Sequence, residues 1–106
     1  MKQHTNKEQT QHLIELGFPR PESISEVNYY DEAYTTETEF EYAYSIGELL
    51  SFLEEYVDDP SEELLVWKDT IFWYVRLSSD NVEAGYDPEL INALYKYIVE
   101  LKEGVI

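Results

Sequence analysis

ETEFEYAYSIGELLSFLEEYV, Glu37 to Val57, decides how this chain folds, because its pattern of apolar residues changes period partway along. Through Tyr44 the residues alternate, placing Phe40, Tyr42 and Tyr44 on one face of an extended chain and Glu37, Glu39 and Glu41 on the other. Beyond Ser45 the apolar positions Ile46, Leu49, Leu50, Leu53, Tyr56 and Val57 recur at steps of three and four, the stripe of an amphipathic helix. Ser45 and Glu48 have the capping-box spacing, in which the hydroxyl accepts from one unpaired helix N–H and the carboxylate from the N–H of the cap residue. A strand therefore leads directly into a capped helix.

Upstream, Thr5 with Glu8 offers a second capping box for a helix over Asn6 to Leu16, which Gly17 should stop. Pro19 and Pro21 bar its continuation, so Phe18 to Val27 reads as a connector attached to the core through Ile24 and Val27. The pattern over Asn28 to Thr35 does not decide whether a separate strand forms there. Downstream, Asp58 to Glu63 has turn chemistry around Pro60. LLVWK and IFWYVRL then read as a hairpin separated by Asp69 and Thr70, and since Asp-Thr suits a two-residue turn poorly, a longer loop stays open as an alternative. In the second run Phe72 and Tyr74 oppose Ile71, Trp73, Val75 and Leu77, so both faces are apolar and a helix should cover at least one. Ser78 to Tyr86 reads as loop with room for a short strand near Val82. Asp87 then caps a helix with Pro88 at its first position, Leu90, Ile91, Leu94, Ile98 and Leu101 as its stripe, and Gly104 at its end. The order helix, strand, helix, strand, strand, helix predicts one α+β domain over residues 1–106. Its sheet should be three- or four-stranded and mainly antiparallel, with about three helices packed mostly on one face.

The 106 residues suffice for one modest core, burying roughly two-thirds of the unfolded surface. At 43% hydrophobic and 15% aromatic residues the chain has the apolar area that acidic disordered tails lack. With no cysteine there is no disulfide, thiolate metal site or thiol nucleophile, a composition that fits a reducing cytoplasm. MKQHTNKEQTQH contains no apolar signal core, and no run is long enough to span a bilayer, so a soluble, unprocessed cytoplasmic protein is expected. The net charge of -16 opposes direct binding to nucleic acid or to an anionic membrane. That charge is unevenly placed: no Lys, Arg or His occurs from Pro21 to Trp67.

Catalytic and metal patterns are weak. His4 and His12, if on one helix, stand about 12 Å apart along its axis, too far to share a metal. His12 reads as an exposed partner of Glu8 or Glu15. Asp58, Asp59, Glu62 and Glu63 lack the ligand order and mid-loop glycine of a calcium loop, and the four glycines form no phosphate cradle. No cofactor, metal or catalytic residue is assigned. Two surfaces remain as interaction candidates. Glu37, Glu39 and Glu41, about 6.7 Å apart along a strand, approximate the spacing of successive phosphates. Joined by Glu54 and Glu55 on one contiguous face, they could occupy a basic groove that normally holds DNA; a merely solubilising acidic face is the plainer reading. Tyr29, Tyr30 and Tyr34 form the second, as tyrosine is enriched at protein interfaces, though core or edge packing also accounts for them.

Three segments, EQTQHLIELGFP (Glu8 to Pro19), YSIGELLSFL (Tyr44 to Leu53) and WYV (Trp73 to Val75) ahead of DPELINALYKYIVEL (Asp87 to Leu101), resemble small proteins encoded by prophages and conjugative elements of gut anaerobic bacteria. The chain departs from that group in having no proline after the leucines of its central helix and in being more acidic. The resemblance implies a mobile-element origin, cytoplasmic expression and a non-catalytic accessory role, and it transfers no site residues. The expected function is thus binding to an unidentified protein partner, with DNA mimicry directed at a nucleic-acid-binding protein as the alternative.

Overall fold

The computed structural model describes residues 2–30, 36–57, 60–80 and 85–103, with residues 25–30 and 36–40 described by backbone alone. The elements run α1 (Lys7–Glu15), β1 (Ile24–Tyr30), β2 (Thr36–Tyr42), α2 (Ile46–Glu54), β3 (Leu64–Lys68), β4 (Trp73–Leu77), β5 (Tyr86–Asp87) and α3 (Leu90–Glu103). The fold is α+β, as the pattern predicts, with a three-stranded antiparallel sheet in the order β3-β4-β5. The remaining strands, β1 and β2, pair antiparallel as a separate arm in which Ile24 faces Tyr42 and Tyr30 faces Thr36. Among the described residues this arm makes no comparable packing with any other element, and the molecule measures 55 × 33 × 22 Å. No described helix is long and apolar enough to cross a membrane.

The core is built on α3, whose Leu90, Ile91, Ala93, Leu94, Tyr97 and Ile98 are buried against Leu49 and Leu53 of α2 and Val75 and Leu77 of β4. Leu13 of α1 and Tyr44 complete it. Each fully buried Leu or Ile contributes on the order of 1.5–3 kcal/mol relative to exposure. The stripe expected of α2 behaves as its spacing dictates: Leu49 and Leu53 are buried, and Ile46, Leu50, Tyr56 and Val57 pack around the core. Ser45 caps that helix, its hydroxyl accepting from Glu48 N at 3.2 Å while Glu48 Oε1 accepts from Ser45 N at 3.1 Å. Gly17 ends α1 at φ +99°, a conformation strained for residues with a Cβ.

Several boundaries differ from the sequence pattern for identifiable reasons. Asn6, rather than Thr5, caps α1, forming its box with Gln9 at 2.8 and 3.0 Å. Thr5 is instead buried, with its hydroxyl 2.7 Å from that of Thr10. Thr5 N donates to Tyr44 O, and Tyr44 N donates to Thr5 Oγ1, both at 3.0 Å, which ties the N-terminal segment to the β2–α2 junction. The alternation of β2 stops at Tyr42, which is 66% exposed, whereas Ala43 and Tyr44 are both buried. Tyr42 and Tyr44 therefore do not share a face. Ile24, expected to attach a connector to the core, is 52% exposed at the start of β1; the side chain of Val27 lies outside the described residues.

Residues Asn28 to Tyr30 complete β1, while 31–35 and Val82 lie outside the described residues. Asp87 closes β5 instead of capping α3, which begins three residues beyond it. The Asp87 carboxylate still accepts from Glu89 N at 2.9 Å, and the first helical bond runs from Ala93 N to Glu89 O. Gly104 is outside the described residues. The β3–β4 connection takes the longer alternative, the loop Asp69 to Phe72: Asp69 N donates to Phe72 O, and Asp69 Oδ1 accepts from Ile71 N and Phe72 N.

Candidate functional site

The register of the three-stranded sheet separates its two faces. Val75 and Leu77, opposite Val66 and Leu64, form the buried face under α3. The neighbouring positions, Trp67 opposite Tyr74 and Tyr74 opposite Tyr86, project on the other side, with Leu65 opposite Arg76. Their rings form a row across the strands. Trp67 stacks on Tyr74 with centroids 5.2 Å apart and planes 12° off parallel, and Tyr74 on Tyr86 at 6.3 Å and 27°. Phe72 meets Tyr86 edge-on at 5.9 Å. Cross-strand aromatic pairs stabilise a sheet beyond the area they bury, here on a face that no described helix covers.

This row remains open to solvent: Trp67 is 42% and Tyr86 46% exposed, and Ile71 at the tip of the β3–β4 loop is 62% exposed. It also attracts cations. The Arg76 guanidinium lies 5.8 Å from the Trp67 ring and Lys96 Nζ 5.9 Å from that of Tyr86. Each cation is held by oxygen as well, Arg76 Nη1 on Asp80 O at 3.0 Å and Lys96 Nζ on Asp87 Oδ2 at 2.7 Å. Burial acts to raise the Asp87 carboxyl, but Lys96 together with the Glu89 N–H and Asn92 amide outweighs it and holds the pKa below its ordinary value. At one end of the row the N–H groups of Phe72 and Ile71 and the Tyr74 hydroxyl all converge on Asp69, keeping it ionised to lower pH than usual.

The residues singled out from sequence are distributed differently. Tyr29 and Tyr30 belong to β1, and Tyr34 lies outside the described residues. Glu37, Glu39 and Glu41 occupy alternate positions of β2, opposite Tyr29, Val27 and Ser25. Glu54 is the last residue of α2 and Glu55 its C-cap, both exposed. Glu41 joins Lys7, Arg20, Ile14 and Tyr42 around a groove of about 460 Å³ between α1 and the base of the arm. His12 turns to α3 rather than to Glu8 or Glu15, with Nδ1 2.5 Å from Tyr95 Oη and Nε2 2.9 Å from Glu103 Oε1. Glu62, considered for a cation loop, accepts instead from Ser79 N at 3.0 Å. Among the described residues no three His, Asp or Glu side chains gather as a metal site.

Trp67, Tyr74 and Tyr86 were not singled out from the sequence as an interaction surface. The signal for them is partly visible, since the apolar character of both faces of IFWYVRL leaves an aromatic side for whichever face has no helix. Only the register shows that Trp67 and Tyr86 extend Tyr74 into a row. Comparisons with protein-family models, with curated proteins and with solved structures find no match to this chain, so its function is read from its geometry.

Proposed function

We propose that this protein is a non-catalytic accessory protein that works by binding another protein through the open face of its three-stranded sheet. The observation that carries the reading is the stacked row of Trp67, Tyr74 and Tyr86, its two outer rings exposed and Tyr74 half-buried between them, on a face that no described helix covers. Large aromatic side chains left in water forgo burial worth kilocalories, and they are the side chains that most often anchor protein interfaces. The resemblance of three segments to mobile-element proteins supports an origin in a prophage or conjugative element and expression in a bacterial cytoplasm.

DNA mimicry is the second reading, favoured by one observation: Glu37, Glu39 and Glu41 alternate along an arm that stands apart from the core. The two readings differ in salt dependence. Affinity capture from a bacterial lysate at about 0.1 M and about 0.5 M salt shortens the Debye length from about 10 Å to well under it. The sheet-face reading expects partners retained at both salts and lost with Trp67→Ala/Tyr86→Ala. A partner held only at low salt, displaced by added DNA and lost with Glu37→Gln/Glu39→Gln/Glu41→Gln, replaces it with mimicry.

A further inference from the structure

The hydrogen-bond pattern of the hairpin identifies which side of β3 is free. Ser78 N donates to Glu63 O at 2.8 Å and Asp69 N to Phe72 O at 3.0 Å, so the pairs 63–78 and 69–72 are bonded ones. Antiparallel ladders alternate bonded and non-bonded pairs, so Leu65–Arg76 and Trp67–Tyr74 are bonded as well. The N–H and C=O groups of Leu64, Val66 and Lys68 consequently point away from β4. β3 is the first strand of its sheet, so no described strand lies on that side. The strand has no proline and a single charged residue, Lys68, while Val66 is 37% exposed. Edge strands of this kind pair with other chains unless they are guarded.

Two features indicate the occupant. The row Tyr86–Tyr74–Trp67 ends at this edge, so its next member would have to come from an added strand. Trp67 already draws the guanidinium of Arg76, and a second arginine beside it would meet the same ring electrostatics. The charge of the whole chain is complementary too: at -16 it attracts a basic segment, and exposed Glu63 and Asp69 bracket β3, whose one cation, Lys68, sits on the strand between them. A second copy fits poorly, because antiparallel pairing centred on Val66 sets Glu63 opposite Asp69 twice, and like charges directly opposed destabilise a sheet.

We propose that the free edge of β3 takes up an extended, basic segment of the partner protein as an added strand, with an arginine or lysine continuing the row beyond Trp67. This rests on the sheet-face reading above and specifies its partner as a strand in which basic and apolar residues alternate, a recognition mode in which backbone bonds supply affinity and side chains select.

The test is residue-resolved hydrogen exchange and Trp67 indole NMR on the full chain with two capped peptides of about nine residues, long enough to overlap a short strand. One alternates arginine with valine; the other has the same charge with proline in place of valine. The alternating peptide is expected to slow exchange of the Val66 N–H by about tenfold or more and to shift the Trp67 indole, and the proline peptide to do neither. Val66→Pro, which removes an N–H that the β3–β4 ladder does not use, should abolish the peptide-induced shift of the Trp67 indole and the protection of the neighbouring edge amides of Leu64 and Lys68; the two-peptide comparison stands even where that variant fails to fold. Equal effects of both peptides would reduce the binding to surface charge and overturn the proposal. A Trp67 shift without protection at Val66 would overturn strand addition and leave the sheet-face reading intact. Protection of Val66 in the peptide-free chain that grows with protein concentration would hand the edge to a second copy and overturn the basic partner. No effect of the alternating peptide at either residue would also overturn it, while the capture experiment with Trp67→Ala/Tyr86→Ala decides the sheet-face reading separately.

Discussion

At the scale of single residues, Tyr97 pairs a backbone group of β4 that the described part of β5 does not reach. β5 has two residues and pairs only with Trp73 and Tyr74, after which Gly85 O accepts from Val75 N at 2.7 Å. Leu77 N would then be left unpaired on that side, and the fully buried Tyr97 hydroxyl accepts from it at 2.9 Å while donating to Asp80 Oδ2 at 2.6 Å. Burial, reinforced by the bond to Asp80, pushes the Tyr97 phenol far above its ordinary value. Tyr97→Phe strands a buried donor, and the expected loss is about 1–3 kcal/mol by denaturant unfolding; an unchanged midpoint would mean that water replaces the hydroxyl. Gly85 admits no side chain, since an added Cβ would lie 2.4 Å from Val75 O and 2.8 Å from Tyr97 Cβ. Gly85→Ala should therefore cost more than the ordinary effect of about 1 kcal/mol for a point mutation, and wild-type stability in that variant would show that β5 can shift aside. These contacts were not legible in the sequence. Tyr97 stands at stripe spacing, three residues past Leu94, so its burial follows from the pattern but its hydroxyl's partners do not, and Gly85 looks like any loop glycine until α3 and β4 are set on either side of it.

At the scale of elements, legibility followed locality. The Ser45–Glu48 cap, the α2 stripe and the β3–β4 hairpin rest on neighbours in sequence, and the structure forms them as read. Ser45→Ala should cost about 1 kcal/mol, because Glu48 N loses the hydroxyl that accepts from it while the backbone N–H of position 45 still donates to Glu48 Oε1; a loss of a few tenths or less would mean that this bond and that from Glu22 N, which donates to Glu48 Oε2 at 3.1 Å, suffice to hold the helix start. What depended on distant partners was not legible: Thr5 left its capping role for Thr10 and Tyr44, and the strands divided into two sheets because β1 and β2 satisfy each other. α2 also carries an unfavourable feature. Glu54 and Glu55 sit at its C-terminal end, where the last turn has no basic residue and the helix dipole disfavours anions. Glu55→Lys should stabilise by about 0.3–1 kcal/mol in a low-salt melt. If the variant is stabilised and still captures the partner at both salts, the Glu55 carboxylate lies outside the interface.

At the scale of the whole molecule, the charge of -16 sets how stability responds to solution conditions. Raising ionic strength from about 0.01 M to about 0.15 M shortens the Debye length from about 30 Å to about 8 Å and weakens repulsion between the exposed carboxylates. The melting temperature should therefore rise with salt, by about 4–8 °C for each kcal/mol recovered in a domain of this size. A flat response would mean that attractive pairs such as Lys96–Asp87 offset the repulsion. Acid acts in two opposed ways. As pH falls from neutrality toward the pI near 4.2, protonation of exposed carboxylates relieves repulsion and stability climbs. Asp87 and Glu48 work in the other direction: burial raises both, but the hydrogen bonds of the folded state outweigh it and hold their pKa values below 3.8 and 4.5. A carboxyl whose pKa is lowered by folding gives stability that is present above its unfolded value and lost as pH falls through its folded one. The expected profile has a maximum between neutrality and the unfolded carboxyl range, then an acid limb below it. Lys96→Met removes the cation that Asp87 pairs with at 2.7 Å, so the variant should lose stability at neutral pH and converge on the wild type at the foot of the acid limb. Parallel pH profiles for the two proteins, offset equally at every pH, would show that Lys96 acts through packing over Tyr86 and not through the charge of Asp87.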